Sequence, residues 1–103
     1  MEIIKTPIEG LLVINPKIFG DDRGYFFECW NEESFVKNGL DLDFVQDNQS
    51  LSSKGVLRGL HFQNPPFAQG KLVRVIKGAV LDIVVDIRKE SATYGQHFSI
   101  ELN

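Results

Sequence analysis

A chain of 103 residues, 43% hydrophobic and 24% charged, has room for one small domain, and its composition excludes a disordered tail. A formal net charge of -3 and a sequence pI near 5.3 leave no electrostatic footprint for nucleic acid or an anionic membrane. No apolar run approaches the roughly 20 residues of a membrane-spanning helix, and a single cysteine, Cys29, excludes an intrachain disulfide.

The first residues, Met1-Glu2-Ile3-Ile4-Lys5, lack the apolar core of a secretory leader. Together with a lone Cys29, which fits a reducing compartment, this predicts a soluble cytoplasmic protein. Short apolar or alternating runs, broken by Gly, Pro and Asn, then follow one another, the pattern of an all-β domain. The expected strands are residues 11–14, 24–29, 44–51, 56–62, 71–76, 79–87 and His97–Leu102, with Lys77-Gly78 as a tight hairpin turn. One short helix is expected after Asn31, a good cap, with Glu32 and Glu33 at its positive end and Gly39 stopping it. Phe35 and Val36 are its expected anchors. In the 79–87 run, Leu81, Ile83, Val85 and Ile87 share one parity and are expected to face a core, with Asp82 and Asp86 on the opposite face. Many short strands in so short a chain suggest a sandwich, jelly roll or small barrel. The final Ile100-Glu101-Leu102-Asn103 still reads as strand, as if a larger fold were cut short.

Three segments carry chemistry. In Gln46-Asp47-Asn48-Gln49-Ser50, the residues Gln46, Asn48 and Ser50 share parity. They form either a solvated face or a polar stripe that holds a hydroxylated ligand. In Arg58-Gly59-Leu60-His61-Phe62-Gln63, Arg58 and His61 differ in parity, so a bulge at Gly59 is needed for both to face one pocket. Histidine accepts a proton near neutral pH, and arginine grips phosphate with two donors. Lys71 opens an apolar run; it either snorkels to solvent or places its ammonium against an oxyanion. Arg23 and Glu28 fit a charged loop and a strand edge as readily as a site. A metal site is disfavoured: Gln63 stands two residues after His61, no carboxylate follows in Asn64-Pro65-Pro66, and His97 is distant in sequence.

Five runs together are more specific than any one. They are Phe19-Gly20-Asp21-Asp22-Arg23-Gly24-Tyr25-Phe26, Phe44-Val45-Gln46-Asp47-Asn48-Gln49-Ser50, Gly55-Val56-Leu57-Arg58-Gly59-Leu60-His61-Phe62-Gln63, Gln69-Gly70-Lys71-Leu72-Val73-Arg74-Val75 and Asp82-Ile83-Val84-Val85-Asp86-Ile87-Arg88. In order and spacing they resemble the dTDP-4-dehydrorhamnose 3,5-epimerase family along essentially the whole chain. The resemblance implies an all-β, cupin-type jelly roll or small β-barrel, normally a homodimer, working without metal or organic cofactor. The implied substrate is a dTDP-4-keto-6-deoxy sugar, inverted at C3 and C5.

By matching motif, His61 takes the place of the proton-abstracting base and Lys71 that of the cation near the C4 oxygen. Arg23, Glu28, Gln46, Asp47, Asn48 and Arg58 fall at substrate-binding positions, and Asp82 at a possible pocket position. The chain departs from the family in length. The family's acidic tyrosine, and the aspartate that orients the base, lie in a second half, and neither Tyr25 nor Tyr94 matches that tyrosine. Residues 1–103 are therefore expected to be one partial, apparently truncated domain. The rival readings are a catalytically incomplete sugar-nucleotide-binding or dimerisation fragment, and a metal-dependent enzyme of the same fold.

Overall fold

A computed structural model describes residues 1–103 and contains six strands and one short helix. Internal contacts divide the chain into a first unit, Met1–Asp43 with Val75–Asn103, and a second, Phe44–Arg74. All regular elements belong to the first unit, where the strands pair antiparallel in twos. The expected class, mostly strand with one short helix, is the class observed.

Strand β1 (Glu2–Lys5) pairs with β2 (Leu12–Asn15), Ile3 opposite Ile14 and Ile4 opposite Val13. The turn between them is tied by Thr6, whose hydroxyl accepts from the Ile8 N–H at 3.2 Å and lies 2.9 Å from the Leu11 carbonyl. This tie places Ile8, 5% exposed, in the core. Strand β3 (Phe19–Asp21) and β4 (Gly24–Phe26) form a hairpin around Asp22-Arg23, with Phe19 opposite Phe26. The strand expected over 24–29 thus ends at Phe26. Pairing also makes strands of β1 and β3, which are too short to show a period of their own.

Helix α1 (Glu32–Lys37) forms where its caps predict it. The Asn31 side chain accepts from the Ser34 N–H at 2.9 Å, satisfying one of the free donors of the first turn. At the other end Gly39, with φ of 81°, donates to the Val36 carbonyl, and Leu40 donates to that of Phe35, both at 2.9 Å. That double closure requires a left-handed residue, which glycine supplies without a Cβ clash. Phe35 is 3% exposed and stacks obliquely on Trp30, whereas Val36 is 48% exposed, so only one of the two expected anchors is used.

Strands β5 (Val80–Val85) and β6 (His97–Leu102) pair with Val84 opposite Phe98, Asp82 opposite Ile100 and Val80 opposite Leu102. The inward face expected for β5 is reversed. Asp82, Val84 and Asp86 are covered to varying degrees, while Leu81, Ile83 and Ile87 are exposed; at the strand ends Val85 is half-buried and Val80 exposed. Strand β5 is apolar on both faces, so its own alternation does not choose between them. Strand β6 is apolar on one face only, and residues directly opposite share a face. Phe98, Ile100 and Leu102 therefore turn the Asp82 face inward.

In the second unit no strand forms, which corrects the expected strands 44–51, 56–62 and 71–76. Strands exist only where a neighbour takes up their backbone groups. Here the backbone bonds are local, Val56 to Ser53 and Phe67 to Asn64. Without a preceding strand, Lys77-Gly78 lies in a bend and joins no hairpin.

Candidate functional site

In the second unit, Gly59 has φ of 117°, a region that L side chains rarely adopt. A Cβ built there would lie 3.6 Å from the His61 backbone nitrogen and 3.6 Å from its Nδ1. The His61 imidazole therefore folds back over the glycine, and its position depends on that backbone turn. The bulge expected at Gly59 is not formed, because no strand spans 56–62; a left-handed glycine in irregular chain stands there instead. Arg58, one residue earlier, is held by its side chain: Nε donates to the Ser52 hydroxyl at 2.8 Å and Nη2 to the Leu51 carbonyl at 3.2 Å. Gln46 donates through Nε2 to Asn48 Oδ1 at 3.3 Å. Those two amides thus share a side without a strand to enforce it. His61, Arg58, Gln46, Asp47, Asn48 and Lys71 all face solvent. Gly59 and the Leu51–Ser52 anchor thus each hold one of two side chains, an imidazole and a guanidinium, that lie three residues apart in sequence.

In the first unit, Arg23 sits in the β3–β4 turn under control of Asp21. The Asp21 carboxylate accepts from the Arg23 backbone N–H at 2.9 Å, from Nε at 3.2 and 3.1 Å, and from Nη2 at 2.5 Å. Donation by Arg23 holds the Asp21 carboxyl below its ordinary value, and the same bond raises Arg23. With Asp22 they line an open concavity of about 400 Å³. Glu28 accepts from the Asn31 side chain at 3.3 Å, which ties it to the cap of α1. Asp82 lies on the covered face of the β5–β6 sheet beside Val84 and opposite Ile100.

A second Asp-x-Arg pair had no role in the expectations. The Asp86 carboxylate, its side chain 1% exposed, accepts from Arg88 Nε and Nη2, both at 2.8 Å, from Ser91 at 2.6 Å and from Thr93 at 2.7 Å. It also receives the Arg88 backbone N–H at 3.1 Å. These donors, Arg88 foremost and then Ser91 and Thr93, hold its carboxyl far below the carboxylate range. The signal in the sequence is an aspartate followed by Arg at +2 and by hydroxyl residues at +5 and +7, side chains that bond nearby backbone and carboxylates in turns. The network fixes the connection from β5 to β6 and offers no free acceptor. No group of three or more His, Cys, Asp or Glu side chains is placed to hold a metal ion, and no helix is long and apolar enough to cross a membrane.

The dTDP-4-dehydrorhamnose 3,5-epimerase family profile matches residues 5–103. A dTDP-4-dehydrorhamnose 3,5-epimerase of Methanothermobacter thermautotrophicus is 53% identical over 100 residues, 97% of this chain and 54% of that protein. The crystal structure of the Bacillus anthracis enzyme, with TDP and PPi bound, is similar at TM-score 0.93 and 43% identity, over 98% of this chain and 58% of that one. A Legionella pneumophila dTDP-6-deoxy-D-glucose-3,5-epimerase, in complex with dTDP-4-keto-L-rhamnose, is similar at TM-score 0.90 and 49% identity, over 98% of this chain and 54% of that one. The chain thus spans about half the length of the relatives it matches.

Proposed function

The chain belongs to the dTDP-4-dehydrorhamnose 3,5-epimerase family, and on that premise we propose that it carries the base-and-cation half of a cofactor-free sugar-nucleotide epimerase of the cupin type. The reaction inverts C3 and C5 of dTDP-4-dehydro-6-deoxy-D-glucose to give dTDP-4-dehydro-L-rhamnose. The observation that carries the reading is the family match over residues 5–103, which includes the His61 and Lys71 motifs.

A hydrogen beside a ketone is acidic because the electron pair left behind spreads onto the oxygen as an enolate. Catalysis needs a base at the carbon and a positive donor at the oxygen. His61 is the base at C3 and C5, and Lys71 is the cation at the C4 oxygen. Arg58 and Arg23 hold the diphosphate, and Gln46, Asp47, Asn48 and Glu28 fix the polar groups of the sugar nucleotide. Reprotonation from the opposite face inverts each centre and requires an acid, a role to which neither Tyr25 nor Tyr94 is assigned. The single domain 1–103 is proposed to work in the cytoplasm as part of a homodimer.

The test is proton NMR of the dTDP-4-keto-6-deoxy sugar in deuterated water. Loss of the C3 or C5 proton signal above the protein-free rate supports a working base and enolate site. Thymidine diphosphate binding without exchange supports the second reading, a binding half lacking its acid. Folded protein with neither binding nor exchange rejects both.

A further inference from the structure

We infer that Asp21 is a positioning residue that holds Arg23 as a pre-set clasp for a diphosphate, engaging one edge of the guanidinium and leaving the other for the ligand. The inference rests on the proposed sugar-nucleotide site and deepens it. A guanidinium carries five N–H donors in a fixed plane. Asp21 takes the Nε edge, receiving Nε on both carboxylate oxygens and Nη2 on Oδ2. Both Nη1 donors and the second Nη2 donor remain, and one Nη1–H with that Nη2–H forms the edge that matches two phosphate oxygens. The backbone bond from Arg23 N–H to Asp21 Oδ1, 2.9 Å, fixes the turn from which the side chain springs.

The comparison that gives this weight lies within the same unit. Asp86 and Arg88 repeat the spacing and the bidentate geometry, but there Ser91 and Thr93 complete the carboxylate and its side chain is 1% exposed. That pair is a closed structural clamp. The Asp21–Arg23 pair has no such completion: the Arg23 side chain is 90% exposed and it opens onto the concavity it lines with Asp22. Exposed ion pairs of this kind add little to stability, so stability alone is a weak reason for so complete a geometry.

Two effects of Asp21 on an anion oppose each other. Its charge, with that of Asp22, repels phosphate. This repulsion acts through water and is screened over about 8 Å at physiological salt. Its hydrogen bonds spare Arg23 the ordering that an unheld side chain must undergo on binding, an effect of about 3–10-fold in affinity. The clasp requires the second effect to exceed the first at physiological salt, which titration of the ligand reads directly.

The test is calorimetric titration of thymidine diphosphate into the 103-residue protein and its variants at low and physiological salt. Asp21→Asn keeps an oxygen for the turn and removes the charged edge contact. It is expected to weaken binding about 3–10-fold at physiological salt, whereas Asp22→Asn in the same concavity leaves affinity equal or tighter. Arg23→Ala weakens binding further, and Asp21→Asn has no additional effect in that background. Unchanged or tighter binding by Asp21→Asn, or the same loss with Arg23 already removed, overturns the inference while leaving the site reading intact. If Arg23→Ala binds normally, both Arg23 assignments fall; if the unaltered chain does not bind, the site reading falls with the inference.

Discussion

Ile100 of β6 stands directly across from Asp82 of β5, on the covered face of their shared sheet. The pairing decides which side of β5 is inward. Strand β5 offers Val80 and Val84 on one face and Leu81, Ile83 and Val85 on the other, and the larger apolar set loses. It loses because Phe98, Ile100 and Leu102 are the apolar residues of β6, and residues opposite one another share a face.

This reversal predicts an inverted substitution pattern. Ile100→Ala is expected to destabilise the protein by about 1–2 kcal/mol, below the range for a fully buried isoleucine because the site is half-covered. Leu81→Ala, at a residue 66% exposed, is expected to change stability by less than about 0.5 kcal/mol. Thermal unfolding of the two variants side by side decides the matter. A larger loss for Leu81→Ala restores the arrangement that alternation alone suggests.

Asp86 makes stability depend on pH in a defined direction. Its carboxyl is held far below the ordinary value of 3.8 by Arg88, Ser91 and Thr93. The folded state therefore binds this proton less readily than the unfolded chain. The stabilisation is fully present above about pH 5 and is lost progressively as the pH falls through the unfolded-state value of 3.8 toward the folded-state value. Asp86→Asn is expected to lower the unfolding midpoint by roughly 5–10 °C at pH 7 and to flatten its dependence on pH between about 5 and 2. Equal acid sensitivity in the variant and the unaltered chain removes Asp86 as the cause.

The two ends of α1 are independently testable. Asn31→Ala removes the acceptor of the Ser34 N–H and is expected to cost about 1 kcal/mol. Gly39→Ala meets no atom within 4 Å, so its expected cost, about 1 kcal/mol, comes from the left-handed backbone alone. Because the substitutions lie at opposite ends and share no partner, their effects are expected to add. Amide exchange across residues 32–37 measures each.

What the sequence revealed follows from the range of the interaction involved. Helix α1 was legible because its caps are local: Asn31 reaches three residues and Gly39 closes onto Val36. The runs ending up as β2, β5 and β6 were legible as strands, but the orientation of β5 was not, because it is set by β6 twelve or more residues away. The runs at 44–51, 56–62 and 71–76 have strand composition but join no sheet, so composition alone misleads. At the candidate site, the Gln46–Asn48 contact and the left-handed Gly59 occur in irregular chain, so neither strand parity nor a strand bulge accounts for them. The Asp86 network is invisible to strand periodicity, which marks Asp86 only as the polar side of a strand and takes no account of Arg88, Ser91 and Thr93.

The proposed chemistry rests on His61, whose imidazole lies against Gly59. If His61 removes the protons at C3 and C5, His61→Ala is expected to slow deuterium exchange by about 10²–10⁴-fold, the usual contribution of a positioned base. Added imidazole should restore part of the rate, since His61 faces solvent and its truncation leaves the position open to a free base of the same kind. If Lys71 stabilises charge at the C4 oxygen, Lys71→Met is expected to slow exchange by about 10²–10³-fold. Imidazole should not rescue it. Gly59→Ala separates position from chemistry: it leaves the imidazole in place as a group but strains the backbone turn beneath it. A loss of exchange in this variant, with thymidine diphosphate still bound, ties the rate to where the imidazole is held. Full exchange in His61→Ala rules the residue out as the base, whatever Lys71 and Gly59 do.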